Sequence, residues 1–210
     1  MNRLFAISLA ALMSSSLSAQ DIKHYFTKSP SALFHPIDSL DRTQMCNLMD
    51  KGNSTGVITM FGDSVKMHKL TDSFIAFSHS NVDIQIKLSD DVIVIVRTYG
   101  KESRNSEVSF YDTSWKQKSS WIYGSVHSKQ MPSDKKIYEA LIVKPDTMSN
   151  DEFERLQLYF DPMFVTAELS ADSDDITLKA ECPLLTDEEK TKLEAVIKQK
   201  TFKWTNGKFK

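Results

Sequence analysis

Glycine is scarce in this chain, with 6 residues in 210, and all of them are scattered at turn-like positions. That leaves no glycine-rich loop to cradle a phosphate or dinucleotide. Cysteine is limited to Cys46 and Cys182, so at most one internal disulfide can form. An excess of basic charge is missing as well: 26 Lys and Arg face 28 Asp and Glu, for a net charge of −2. Nucleic-acid binders need a clustered basic face, and none is written here. The densest basic group, Lys198, Lys200, Lys203, Lys208 and Lys210, reads as a solvated helix end and tail. No apolar run approaches the ~20 residues that a membrane-spanning helix needs. His-Glu-x-x-His and Gly-x-Ser-x-Gly are absent, as are internal repeats and low-complexity tracts.

What is present is a well-filled core composition, 40% hydrophobic and 10% aromatic. At this length it favours one domain, with room for two lobes. The first twenty residues have the order of a secretory signal. Asn2 and Arg3 form a positive start, Leu4–Met13 an apolar stretch, and Ser14–Ala19 a run dominated by small residues. Cleavage after Ala19 is expected, so that residues 1–19 are a signal peptide and 20–210 the mature domain. No cysteine follows the apolar stretch, so this is not a lipoprotein signal. Arg3 is the sole charged side chain in that segment, so 25 basic and 28 acidic groups follow it, a net of −3. The expected location is the periplasm, the cell surface or the medium. That compartment is oxidising and permits a Cys46–Cys182 disulfide. Closing so long a loop stabilises by ~4–5 kcal/mol in the entropic account. Against it, Cys46 lies in a helical stripe beside Met45 and Met49, where a thiol serves as a small hydrophobe.

The spacing of Ile22, Tyr25 and Phe26 predicts a short helix ended by Ser29-Pro30. Asp38 is the N-cap of a second, striped by Met45, Leu48 and Met49 and closed at Lys51-Gly52. From Gly56 the period becomes two. Strands are predicted at Val57–Phe61, Val65–Leu70, Phe74–His79, Val82–Leu88, Val92–Val96 and around Val108–Phe110. Val82, Ile84, Ile86 and Leu88 alternate with Asp83, Gln85 and Lys87, one face buried and one wet. The continuous apolar run Val92–Val96 marks a central strand covered on both sides. Residues 116–136 read as irregular and polar, a candidate lobe boundary or mobile loop, with Trp121 and Tyr123 embedded in it. Beyond it a strand is expected at Ile137–Val143. Helices should start from capping boxes at Ser149/Glu152 and Thr186/Glu189, the second long, with Leu193, Val196 and Ile197 inward. Between them Phe164–Leu169 and Ile176–Ala180 form a hairpin, and Phe202–Thr205 with Asn206-Gly207 and Phe209 a last strand with a tight turn. Strands following strands without helical crossovers give an α+β fold: an antiparallel meander packed with a few helices.

No catalytic, metal or cofactor motif emerges. The five histidines share no helical spacing, and His68 and His79 have unknown cross-strand partners. Asp172, Asp174 and Asp175 lack the central glycine and closing glutamate of a calcium loop and read as a solvated turn, as do Asp90 and Asp91. Trp115, Trp121, Tyr123 and Trp204 read first as core filling, with Trp121 and Tyr123 as the candidate ligand or partner surface.

Five stretches in order resemble the exported Bacteroidales proteins grouped as domain of unknown function 3256. They are the signal ending in SAQ, Ser29–Asp50, Leu70–Leu88, Val108–Lys116 and Phe202–Phe209. The family has no assigned activity, so the resemblance implies a location and no functional residue. Exported proteins of that group are O-glycosylated at Asp-Ser/Thr followed by an apolar residue. The resemblance of Asp38-Ser39-Leu40, Asp63-Ser64-Val65 and Asp146-Thr147-Met148 to that pattern implies candidate sites at Ser39, Ser64 and Thr147. Three functions follow as expectations. The first is a non-catalytic envelope module binding a protein, peptide or glycan. The second is a hydrolase with a dispersed site, such as a Ser or Asp with His68 or His79. The third is an inhibitor or chaperone-like partner acting by β-addition.

Overall fold

A computed structural model describes residues 21–210 apart from 54, 102, 183 and 184. The signal-peptide expectation for 1–19 therefore lies outside the described residues. Two short helices open the described chain, α1 (Ile22–Lys28) and α2 (Ser39–Asp50). Asp38 caps α2 through a full capping box with Asp41. Seven strands follow: β1 (Val57–Ile58), β2 (Ser64–Leu70), β3 (Phe74–His79), β4 (Val82–Ser89), β5 (Val92–Tyr99), β6 (Asn105–Asp112) and β7 (Gln117–Ile122). They pair antiparallel in sequence order as one seven-stranded meander. Then come α3 (Asp134–Leu141), α4 (Asn150–Gln157), β8 (Phe164–Leu169), β9 (Asp175–Glu181), α5 (Asp187–Glu194) and β10 (Gln199–Lys203). The last three strands form a second sheet in the order β10-β9-β8. The α+β meander read from the sequence is the fold.

Two cores sandwich the large sheet. Val92, Val94 and Val96 of β5 enter one core; Ile93 and Ile95 enter the other. Alternate residues of a strand point to opposite faces, so the two cores lie on opposite sides. One is closed by α1 and α2 through Ile22, Phe26 and Met45. The other is closed by the small sheet and by Ile137, Leu141, Leu156 and Leu193 of α3, α4 and α5. The unbroken apolar run of β5 is thus covered on both sides, as its composition requires.

Arg42 is the unexpected member of the first core, only 1% exposed. Its guanidinium donates to the carbonyls of Ile37 at 2.7 Å and Ser29 at 2.8 Å, tying α2 to the end of α1. It also lies 6.0 Å over the Phe26 ring. Burial lowers its affinity for its proton, partly offset by Asp38 and Asp41.

Three expectations change and one alternative closes. The segment Ile137–Val143 is not a strand: α3 occupies 134–141, capped by Ser133, which accepts from the Lys136 amide. Ile137 and Leu141, both 0% exposed, sit four apart on one helical face. The run IYEALIV is too short for its period to separate strand from helix, and burial of Ile137 and Leu141 in the second core decides. The stretch 116–136, expected to be irregular, contains β7, whose Trp121 is 1% exposed. The second capped helix is short, α5 ending at Glu194, and Ile197 instead bridges Ile142 as an extended residue. Finally, Cys46 and Cys182 are free thiols. Cys46 belongs to the core under α1 and α2, whereas Cys182 packs against the other, so the large sheet separates them.

Candidate functional site

The wet face of β4 builds the most developed polar site in the described chain. Asp83, Gln85 and Lys87 all point toward the small sheet, and each does something different. Gln85 Oε1 accepts the amide of Leu169 at 2.8 Å. Lys87, only 4% exposed, donates to the Ala171 carbonyl at 3.3 Å and lies 3.7 Å from Asp174. Two neighbours on β6 add similar contacts. Ser106 Oγ accepts the Ala167 amide at 2.9 Å, and Asn105 Oδ1 accepts that of Val165 at 3.2 Å. The amides of 165, 167 and 169 lie along the free edge of β8, so side chains of the large sheet cap that edge.

Docked this way, with β8 over β4–β6, the small sheet leaves beside β2–β5 a cleft of about 440 Å³. One wall carries His68, Ser78, Asp83 and Arg104; the other carries Thr166, Glu168, Thr177 and Lys179. A second hollow of about 480 Å³ continues it toward Lys69 and Asp172, sharing Gln85, Glu168 and Thr177. Across the small sheet Glu168 faces Thr177, which faces Thr201, and the two threonine hydroxyls are 3.0 Å apart.

Asp83 is the remaining member of the β4 trio. Its Oδ1 accepts the Ser78 hydroxyl at 2.6 Å, and its Oδ2 pairs with Arg104. Ser78 Oγ is also 2.7 Å from His68 Nε2. A serine has one proton to give. Given to Asp83, it leaves Ser78 as acceptor, so His68 Nε2 is the donor. The chain of contacts therefore runs His68 to Ser78 to Asp83 to Arg104. In a Ser-His-Asp triad the histidine takes the serine proton and the carboxylate orients the histidine. Here serine sits in the middle, and among the described residues the histidine has no carboxylate partner. His68 lies at a bulge between Met67 and Lys69, where the register of β2 against β3 shifts.

His79 stands apart. Its Nε2 lies 3.7 Å from Asp63 and has no hydrogen-bond partner. The aromatic set is dispersed rather than shared. Trp115 packs edge-on against Phe34 at 6.2 Å, in the α1–α2 core. Trp204 stacks on Phe110 at 6.3 Å in the other and donates to Asp90 at 2.9 Å. Trp121, read as a ligand surface, is instead a core side chain whose indole N–H donates to Asp134 at 3.3 Å. Tyr123 is half-buried beside it, and burial, then Asp134, raises its hydroxyl pKa. The acidic turn is not simply solvated: Asp174 accepts Ser89 Oγ at 2.9 Å and faces Lys87. Ser39, Ser64 and Thr147 are all exposed. Among the described residues no three His, Cys, Asp or Glu side chains converge as a metal site, and no helix is long and apolar enough to cross a membrane.

A family model described as "Protein of unknown function (DUF3256)" matches residues 14–209. The chain belongs to this family. Its fold is similar to that of a domain of an uncharacterized protein from Porphyromonas gingivalis W83, with TM-score 0.69 and 19% identity, covering 91% of this chain and 99% of that one. At that identity the likeness concerns the fold alone. No curated protein matches.

The sequence reading missed Ser78, Asp83 and Arg104 as a group. The signal available was the polar alternation on β4, which was read as a solvent face and is in fact the seat of a second sheet.

Proposed function

We propose that this family member is an exported, non-catalytic binding module of the cell envelope. Its ligand is a short hydrogen-bonding chain, a glycan or peptide segment, seated in the cleft between the two sheets. The observation that carries this reading is the convergence of hydroxyl, amide and charged groups from both sheets on one open cleft. Concave sites with convergent polar groups are the usual seats of ligands. The state of two of the strand edges weighs against β-addition there. The β8 edge is already capped, and β2 beyond its two-residue pairing with β1 is bulged and carries Lys66 and Lys69. Bulges and lysines are how natural sheets guard their edges.

The meeting of His68, Ser78 and Asp83 favours a hydrolase as the second reading. The order of their hydrogen bonds argues against it, since the Ser78 proton goes to Asp83 rather than to His68, and among the described residues no carboxylate orients His68.

Glycan and peptide arrays probed with the purified mature protein test the first reading. Capture is expected on a narrow ligand set and should vanish for Thr177→Trp, which fills the cleft from a half-buried position. Capture that survives Thr177→Trp places the ligand elsewhere and overturns the reading. Covalent labelling of Ser78 by a fluorophosphonate probe would establish the second reading in its place.

Export also underlies the proposal that Ser39, Ser64 or Thr147 carries an O-linked glycan, each being exposed in its Asp-Ser/Thr-apolar setting.

A further inference from the structure

The charges lining the cleft are unequally satisfied. Arg104 is paired with Asp83, Lys179 lies 3.7 Å from Glu181, and Lys69 lies 3.8 Å from Asp172. Every cation of the two hollows thus already has an acid of this chain beside it. Glu168 differs. It is exposed, it lies where the two hollows join, and among the described residues it has neither a hydrogen-bond nor an ion-pair partner. Its cross-strand partner is Thr177, a hydroxyl rather than a cation. The charge left over for a ligand is therefore one carboxylate, set among hydroxyls and amides.

We infer that the cleft selects a ligand bearing a primary ammonium on a hydrogen-bonding chain, with Glu168 as its counter-charge. This deepens the cleft reading and rests on it. An ammonium group offers three donors and no acceptor. That suits a site whose unpaired charge is an acceptor-only carboxylate and whose neighbours, Ser78, Thr166 and Thr177, can also accept. A carboxylate on the ligand would meet cations that already have acid partners and would sit close to Glu168. A divalent metal would need several anionic or imidazole ligands, whereas Glu168 stands alone. Among the described residues the two hollows present no exposed Phe, Tyr or Trp face for stacking a sugar ring: Phe77 sits 1% exposed in the opposite core, and Phe74 is 4% exposed in the near one. Recognition must therefore come from hydrogen bonds and charge. The ammonium could be carried by an amino sugar or by a lysine-containing peptide, and the experiment separates the two.

Four probes are titrated into the mature protein, with amide NMR shifts and calorimetry as readouts. They are a glucosamine hexamer, its fully N-acetylated form, trilysine amide, and trilysine amide acetylated on its side chains and its α-amine. Acetylation removes the charge and keeps the chain. At least one ammonium probe is expected to shift the amides of Ser78, Thr98 and Thr177. It should bind on the order of tenfold more weakly to Glu168→Gln, the usual scale of a charge-assisted hydrogen bond. Whichever ammonium probe does so identifies the carrier. Glu168 is exposed, so Glu168→Gln should fold normally. Equal binding of acetylated and free probes, or ammonium binding indifferent to Glu168→Gln, overturns the ammonium inference and leaves the cleft reading standing. No shift at those amides with any probe likewise overturns the ammonium inference, and the arrays with Thr177→Trp then decide the cleft reading by themselves.

Discussion

The backbone amide of Ala167 donates to the hydroxyl of Ser106 at 2.9 Å, across 61 residues of sequence and between two separate sheets. A strand edge normally seeks another strand. Here the β8 edge is satisfied by side chains that project from the face of a sheet, and that substitution sets the small sheet over the large one and opens the cleft between them.

Ser106→Ala should therefore be disproportionately costly for so small a change. Ser106 is 1% exposed and also bonds Thr98 at 2.7 Å. Removing its hydroxyl strands the Ala167 amide, a loss of about 1–3 kcal/mol. Urea denaturation should read this, and hydrogen exchange at Ala167 should quicken before exchange in β5 does.

Arg42 offers a comparison of a buried charge with its shape. Arg42→Ala removes two hydrogen bonds and leaves a void between α1 and α2, for an expected loss of about 3 kcal/mol. Arg42→Met keeps much of the volume without the cost of burying a cation and should lose clearly less. Equal losses in the two variants would show that packing volume plays no part.

The thiols make a prediction about both redox state and pH. Burial pushes Cys46 and Cys182 up to about 11, so both are neutral at pH 7 and slow to react. Thiol reagent should titrate two groups in denaturant without reductant, and far less in the native state. Because the folded pKa exceeds the unfolded one, the unfolded chain releases these protons first as pH rises. Stability is then whole below about pH 9 and falls between about 9 and 11. Cys46→Val should flatten part of that decline, with the midpoint of urea unfolding as the measure.

Processing and modification are read from one spectrum. Protein purified from its native envelope should begin at or near Gln20 by N-terminal sequencing. Its intact mass should exceed that of the processed chain, with the excess reduced by Ser39→Ala, Ser64→Ala or Thr147→Ala. A mass equal to the bare processed chain would remove the glycan proposal, and a retained Met1 would remove the signal peptide.

The amino-acid sequence by itself determined whatever depends on neighbours along the chain. Asp38 and Thr186 start helices because their side chains reach amides three residues on. The Asn206-Gly207 pair turns because both residues accept positive φ, 52° and 75°. The apolar run Val92–Val96 declared its own double burial. Tertiary structure alone decided the rest. Whether IYEALIV coils or extends depended on which period the second core could bury. Whether Asp83, Gln85 and Lys87 met water or protein depended on where β8 docked, 84 residues away in the contacts of Gln85 and Lys87. Side-chain alternation records that a face is polar; it carries no information about what lies across from it, because that partner is chosen by long-range packing.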